Sequence, residues 1–217
     1  MSLLRRWFRG PHHADVHTRR WVVLDVETTG LDIHEDRLLA VAGVAVVFAE
    51  EGAAPQVDLD DSFEGVLHHA APSVDKENIL LHGIGVAAQR AGAPPPQVLE
   101  AFERWVGHSP LLAFHAAFDQ AMLGRAMKEQ LRRGLHNPWL DLAPVAAGLH
   151  PTVRAHALDE WLDHFGIECA VRHQAAADTL ATAELLQRLW PSARAQRCAS
   201  FAALARLARQ QRWIHRG

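Results

Sequence analysis

Asp25 and Glu27 stand in the stretch WVVLDVETTG (21–30), an apolar run that ends in a turn signal at Thr28, Thr29 and Gly30. In a strand, side chains alternate faces with period two, so the two carboxylates point to one side and Val26 to the other. Adjacent carboxylates near a core repel each other and lose hydration, and one takes up a proton unless a cation neutralises both. A hard divalent cation such as Mg²⁺ or Mn²⁺ meets that need with oxygen ligands. The alternative is a strand that ends there with both acids solvated.

Three more residues have chemistry to offer. Asp119 follows the apolar segment LLAFHAAF, where a strand should give way to a helix, and reads as a further ligand or as a helix N-cap. Asp178 lies among alanines and leucines in HQAAADTLATAELL, as a buried acid or as one turned to solvent, and His173 precedes it by five residues. An imidazole titrates near neutral pH and suits a general base, although a chain with 15 histidines also carries many at its surface.

These residues need elements to position them. EDRLLAVAGVAVVFAE reads as a second strand and QVDLDDSFEGVL as a third, more polar one, which makes an antiparallel meander with the first. The segment 71–96 mixes a short helix with loop signals and ends in a proline run. PQVLEAFERWVG has apolar residues three and four apart and predicts an amphipathic helix. SPLLAFHAAFD follows as a buried strand, QAMLGRAMKEQLRRG as a helix, and NPWLDLAPVAAGLHP as a strand-like or short helical piece. Helices are predicted over AHALDEWLDHFG, QAAADTLATAELLQRLW and ARAQRCASFAALARLARQQRW, with Gly166 and Pro191 as breaks. Three strands followed by alternating helix and strand describe an α/β fold, a mixed sheet flanked by helices.

The chain of 217 residues is 49% hydrophobic and 22% charged, a globular balance that argues against disorder over most of its length. Its longest near-apolar run, Leu38 to Ala49, is too short to span a bilayer and is rich in valine, so no membrane partner is expected. The N-terminus has no extended apolar segment of a secretory signal, and two cysteines provide no disulfide framework, so a cytoplasmic location is expected. Net charge is −3 but uneven. Residues 1–21 hold five arginines and one aspartate, residues 193–217 six arginines and no acid, and the body between them is strongly acidic. Basic ends suit an anionic partner or mere solubility. His12, His13 and His17 lack zinc-ligand spacing and read as part of a flexible basic arm.

Taken in order, D-x-E followed by T-T-G, then F-D at a strand-to-helix junction, then H-x-x-x-x-D opening a late helix resemble the three motifs of the DEDDh 3'–5' exonucleases, the family related to the epsilon proofreading subunit of bacterial DNA polymerase III. The resemblance runs from about Trp21 to Trp190 and includes DVETTGL, LLHGIG, LLAFHAAFDQAML, LDEWLDHFGI and RHQAAADTLATAELL. It implies a ribonuclease H-like fold, with an antiparallel meander of three strands plus parallel strands. It also implies two divalent cations, Mg²⁺ or Mn²⁺, on Asp25, Glu27, Asp119 and Asp178, with His173 as general base. Thr28, Leu31 and, less directly, His82 would contact the terminal nucleotide. The expected activity is removal of nucleoside 5'-monophosphates from the 3' end of single-stranded DNA or frayed ends. The alternatives are short RNA as substrate, or a scaffold that binds nucleic acid without turnover. Polymerase association is conceivable, but no docking tail is recognisable after Trp190. The expected organisation is a basic arm (1–20), an exonuclease domain (21–191) and a basic C-terminal helix packed on it (192–217).

Three departures from the family pattern stand out. Phe114, His115 and Ala116 replace H-N-A before the second motif, Ala40 to Gly43 replace E-I-G-A in the second strand, and Thr179 follows Asp178 where alanine is usual.

Overall fold

The computed structural model describes residues 19–169 and 172–214, so the N-terminal arm with His12, His13 and His17 lies outside the described residues. Three strands come first, β1 (Arg20–Thr28), β2 (Leu38–Val47) and β3 (Gln56–Val66). Helices α1 (Lys76–His82), α2 (Val86–Ala91) and α3 (Pro95–Val106) follow. Then come β4 (Leu111–Ala113), α4 (Ala117–Leu131), β5 (Trp139–Asp141) and α5 (Leu142–Leu149), and finally α6 (Leu158–Phe165), α7 (Ala175–Ala195) and α8 (Phe201–Ile214).

The sheet order is β3-β2-β1-β4-β5, antiparallel across the first three strands and parallel from β1 through β4 to β5. This is the mixed ribonuclease H-like sheet. β1 is central, which explains why its sequence is apolar without alternation: both of its faces are covered. Val22, Leu24 and Val26 belong to one core with α3 and α4, whereas Trp21 and Val23 belong to the other with α5 to α8. Asp25 and Glu27 continue the second set, toward the face crossed by α7. At the outer edge, β3 alternates charged and partly buried residues, and its pairing with β2 shifts register between Val44 and Ala45. A polar, bulged strand is a poor template for pairing with another chain. The opposite edge, β5, is covered by α8.

Local structure departs from expectation at three places. The apolar run of the second motif is strand only over Leu111–Ala113, and helix α4 starts at Ala117, so Asp119 sits inside the first turn and Ala116 is the N-cap. NPWLDLAPVAAGLHP supplies both a strand and a helix. Pro191 does not break α7, which runs on to Ala195, and the break before α8 falls at residues 196–200. Leu189, Trp190 and Ala193 are buried around Pro191, and their packing holds the turn that a missing N–H would weaken. Gly166 does terminate α6, in the left-handed conformation. No helix among the described residues is long and apolar enough to cross a membrane.

Candidate active site

Three elements bring four carboxylates within each other's fields at the end of the sheet where β1, β4 and β5 finish. β1 supplies Asp25 and Glu27, the first turn of α4 supplies Asp119, and the first turn of α7 supplies Asp178. Asp119 and Asp178 are buried, at 3% and 6% exposure, which is rare for an acid without a partner of opposite charge, and of the two only Asp178 has one. Burial pushes Asp25 well above the usual carboxylate range, and repulsion from Asp119, Glu27 and Asp178 adds to it, against the opposing pull of Arg172. Glu27 is pushed up to about 8, first by burial and then by Asp178, while the Ala175 backbone N–H opposes the rise. Asp119 rises to about 7 by burial, with its own N–H and that of Val26 opposing and Asp141 adding repulsion.

Glu27 Oε1 is buried with no hydrogen-bond partner. A buried acceptor without a donor is costly. Four hard oxygen donors carrying more negative charge than the site can hold fit a divalent cation of the Mg²⁺ or Mn²⁺ class. Among the described residues, no three His, Cys, Asp or Glu side chains already stand at ligand spacing. Instead a guanidinium enters the site. Arg172 bonds Asp178 Oδ1 through one Nη and Asp159 Oδ1 through Nε, and Asp178 also receives the His173 backbone N–H at 3.1 Å and the Cys169 thiol at 3.6 Å.

His173 is exposed at the rim, with φ 61° in the left-handed region. His115 is the second such residue beside the site, with φ 60°, its N–H held by Asp141 Oδ1 at 3.0 Å. A left-handed backbone at a non-glycine residue costs of order 1 kcal/mol, and such strain concentrates at functional sites.

On the other flank, Thr28 is buried and its hydroxyl donates to the Gly30 carbonyl at 2.6 Å, while its own carbonyl accepts from Asn78 Nδ2 of α1 at 2.9 Å. That bond ties α1 to the end of β1. A Cβ at Gly83, the C-cap of α1, would lie 3.9 Å from Gln174 Nε2, so α1 ends against the start of α7. His82, in the last turn of α1, is 3% exposed and accepts the Ile84 N–H on Nδ1, which leaves the proton on Nε2. That Nε2 has no partner. Leu31 stands apart at 86% exposure in the β1–β2 turn. The predicted carboxylates thus share one locus, Thr28 and His82 flank it, His173 edges it and Leu31 projects beyond it. Arg172, Asp159, Asn78 and Asp141 were not singled out beforehand. Only the place of Arg172, next to His173, could have drawn notice.

Residues 22–186 match the RNase_T exonuclease family. The chain is 31% identical over 178 residues to a PolC-type DNA polymerase III of Bacillus subtilis and 32% identical over 169 residues to that of Oceanobacillus iheyensis. These matches cover 82% and 78% of this chain but only 12% and 11% of those polymerases. Among solved structures, it resembles E. coli Exonuclease I in complex with a dT13 oligonucleotide, with a TM-score of 0.66, 15% identity, and coverage of 82% of this chain and 42% of that one. Exonuclease X in complex with 5' overhanging duplex DNA gives a TM-score of 0.66 at 16% identity and covers 87% of this chain and 99% of that one.

Proposed function

The chain belongs to the RNase_T exonuclease family, as a DEDDh-type 3'–5' exonuclease, and from that premise we propose that it trims single-stranded DNA, or frayed 3' ends, to nucleoside 5'-monophosphates. The observation that carries this reading is the common field of Asp25, Glu27, Asp119 and Asp178, which come from three separate segments, with burial pushing Asp25, Glu27 and Asp119 above the usual carboxylate range.

Asp25, Glu27, Asp119 and Asp178 would hold two divalent cations, Mg²⁺ or Mn²⁺, which supply charge neutralisation for the attacking and leaving oxygens. His173, exposed at the rim, accepts the proton of the attacking water as the new P–O bond forms. The bond from phosphorus to the 3' oxygen of the penultimate nucleotide breaks, and that oxygen leaves to become the new 3' hydroxyl. His82 Nε2–H is a donor already stripped of water and aimed at no protein group, so it suits a polar atom of the terminal nucleotide. Thr28 is fixed by Gly30 and Asn78, and Leu31 offers an aliphatic surface to an unpaired base. An apolar contact of this kind favours unstacked ends over duplex and reads little sequence.

RNA remains the second substrate to test, because nothing described at the site opposes a 2' hydroxyl. Work beside a polymerase is a further reading, favoured by the polymerase relatives. A chain of 217 residues with only two cysteines suits a reducing, cytoplasmic compartment.

The test is incubation of 5'-labelled single-stranded DNA and RNA oligomers with Mg²⁺ or Mn²⁺, with and without chelator. A ladder shortening from the 3' end, with 5'-mononucleotides as product and none under chelator, is expected. Oligomers bound but left intact in saturating metal would identify a scaffold instead.

A further inference from the structure

The family match ends at residue 186, and the last acidic residue of the chain is Glu184. Beyond it the sequence carries seven arginines and no Asp or Glu. Arg194 near the end of α7, Arg197 just after it, and Arg206 and Arg209 on α8 are all exposed, and none of these four joins an ion pair among the described residues. Within this segment every Arg, Lys, Asp or Glu charge is positive, although the β2–β3 turn that meets it at Gly52 carries exposed Glu50 and Glu51, and a concentration of basic side chains raises the local concentration of polyanions.

This face is built on a seated helix. Leu204 and Ala208 of α8 are buried, Phe201 packs edge-on against Trp21 with ring centroids 5.5 Å apart, and a Cβ on Gly148 of α5 would come within 2.8 Å of Leu207. Arg206 and Arg209, three residues apart, share one side of α8. The face also begins beside the carboxylate site. Arg209 and Asp141 line one small cavity of about 70 Å³, and Asp141 both raises Asp119 and holds the N–H of His115. Along α7, Arg194 follows Asp178 by 16 positions, about 24 Å at 1.5 Å per residue, a separation of several nucleotides.

We propose that Arg194, Arg197, Arg206 and Arg209 form a binding surface for the sugar-phosphate backbone of the strand whose 3' end enters the carboxylate site. The proposal rests on the exonuclease reading of that site and adds a segment outside the family match. Guanidinium groups bind phosphate oxygens in two-pronged fashion without reading bases, so the surface gives length-dependent, sequence-independent affinity.

The test uses the full chain with Arg194→Glu/Arg197→Glu and Arg206→Glu/Arg209→Glu pairs, and glutamine at the same positions should a glutamate pair fail to fold. Fluorescence anisotropy in chelator measures binding of a single strand of about 20 nucleotides, for which each pair should raise Kd at least ~10-fold and flatten the salt dependence by about 0.7 for each phosphate that is no longer neutralised. Hydrolysis of the p-nitrophenyl ester of thymidine 5'-monophosphate, which reaches only the site, should stay within about twofold of wild type with Mn²⁺. Unchanged Kd in folded variants overturns the proposal, as does a parallel loss of ester hydrolysis. Lost binding to anionic lipid vesicles with oligomer binding intact also overturns it and assigns the surface to membranes. If the wild-type chain fails to hydrolyse the ester, the exonuclease reading falls, while the anisotropy result still decides the backbone surface.

Discussion

Arg172 and Asp178 form an ion pair inside a field of three other carboxylates, and Asp159 grips the same guanidinium from its outer side. The arginine thereby supplies part of the positive charge that a divalent cation would bring. A cation bound at Asp178 would have to exchange with this guanidinium. Removing Arg172 leaves Asp178 in a negative field without its cation, a loss of about 1.5–3 kcal/mol for a charge-assisted bond. Arg172→Gln should therefore lower the melting temperature in chelator by a few degrees and tighten apparent Mn²⁺ binding by roughly 3–10-fold, since no guanidinium must be displaced. A thermal-shift titration with Mn²⁺ checks both signs; weaker binding in the variant would mean that Arg172 helps to hold the site open for metal.

The buried acids predict an unusual pH dependence of stability. Glu27 goes from 4.5 to about 8 and Asp119 from 3.8 to about 7 on folding, in both cases chiefly through burial. A carboxyl with a raised folded pKa keeps more protons in the folded state than in the unfolded one, so stability declines with pH between the two values. In chelator, the contribution of Glu27 should be full below 4.5 and lost by about pH 8. Thermal melts at intervals across that window should show the fall. Mn²⁺ displaces these protons, so its affinity should climb over the same range, with proton release visible by calorimetry in buffers of different ionisation enthalpy. A flat profile in chelator would mean that water reaches these carboxylates in the folded state.

Glu27→Gln separates stability from activity. The amide keeps the shape and removes the charge that burial penalises, and its NH₂ group joins a pocket with acceptors on Asp25 and Asp178. Folded chain in chelator near pH 8 should gain about 1–2 kcal/mol, equivalent to about 2–8 °C in melting temperature at this chain length. Exonuclease activity should fall at least about 100-fold, because a lost ligand forfeits several kcal/mol of charge stabilisation. Melting curves and rates on the same preparation test the pair of effects; retained activity would remove Glu27 from the metal-binding set.

Much of this architecture is legible in the residues. The valine-rich runs at 22–26 and 38–47 leave no element but a buried strand, and the order of D-x-E, F-D and H-x-x-x-x-D identifies the family before any coordinates do. What escaped reading is set by distant partners. LLAFHAA is apolar without a period, so nothing local says that the strand stops at Ala113, or that Asp119 lies inside a helix rather than at its cap. Pro191 looks like a break because its ring removes a donor, and only the burial of Trp190 and Ala193 reverses that. The Asn78–Thr28 bond and the Arg172–Asp159 pair join segments 50 and 13 residues apart, for which no spacing rule exists.

His173 carries the sharpest test, because its backbone and its imidazole do different things. Its N–H, presented by a left-handed backbone at φ 61°, bonds Asp178 Oδ2, while the ring stays exposed and free to meet water at the site. Alanine removes the ring but also strains a conformation that asparagine tolerates better. Both His173→Ala and His173→Asn should therefore lower kcat by roughly 10²–10⁴-fold, the usual worth of a general base, with Mn²⁺ binding preserved most fully in the asparagine variant. Should the asparagine variant retain full kcat in saturating metal, the water must lose its proton elsewhere, and the contribution of His173 would reduce to the backbone bond that holds Asp178.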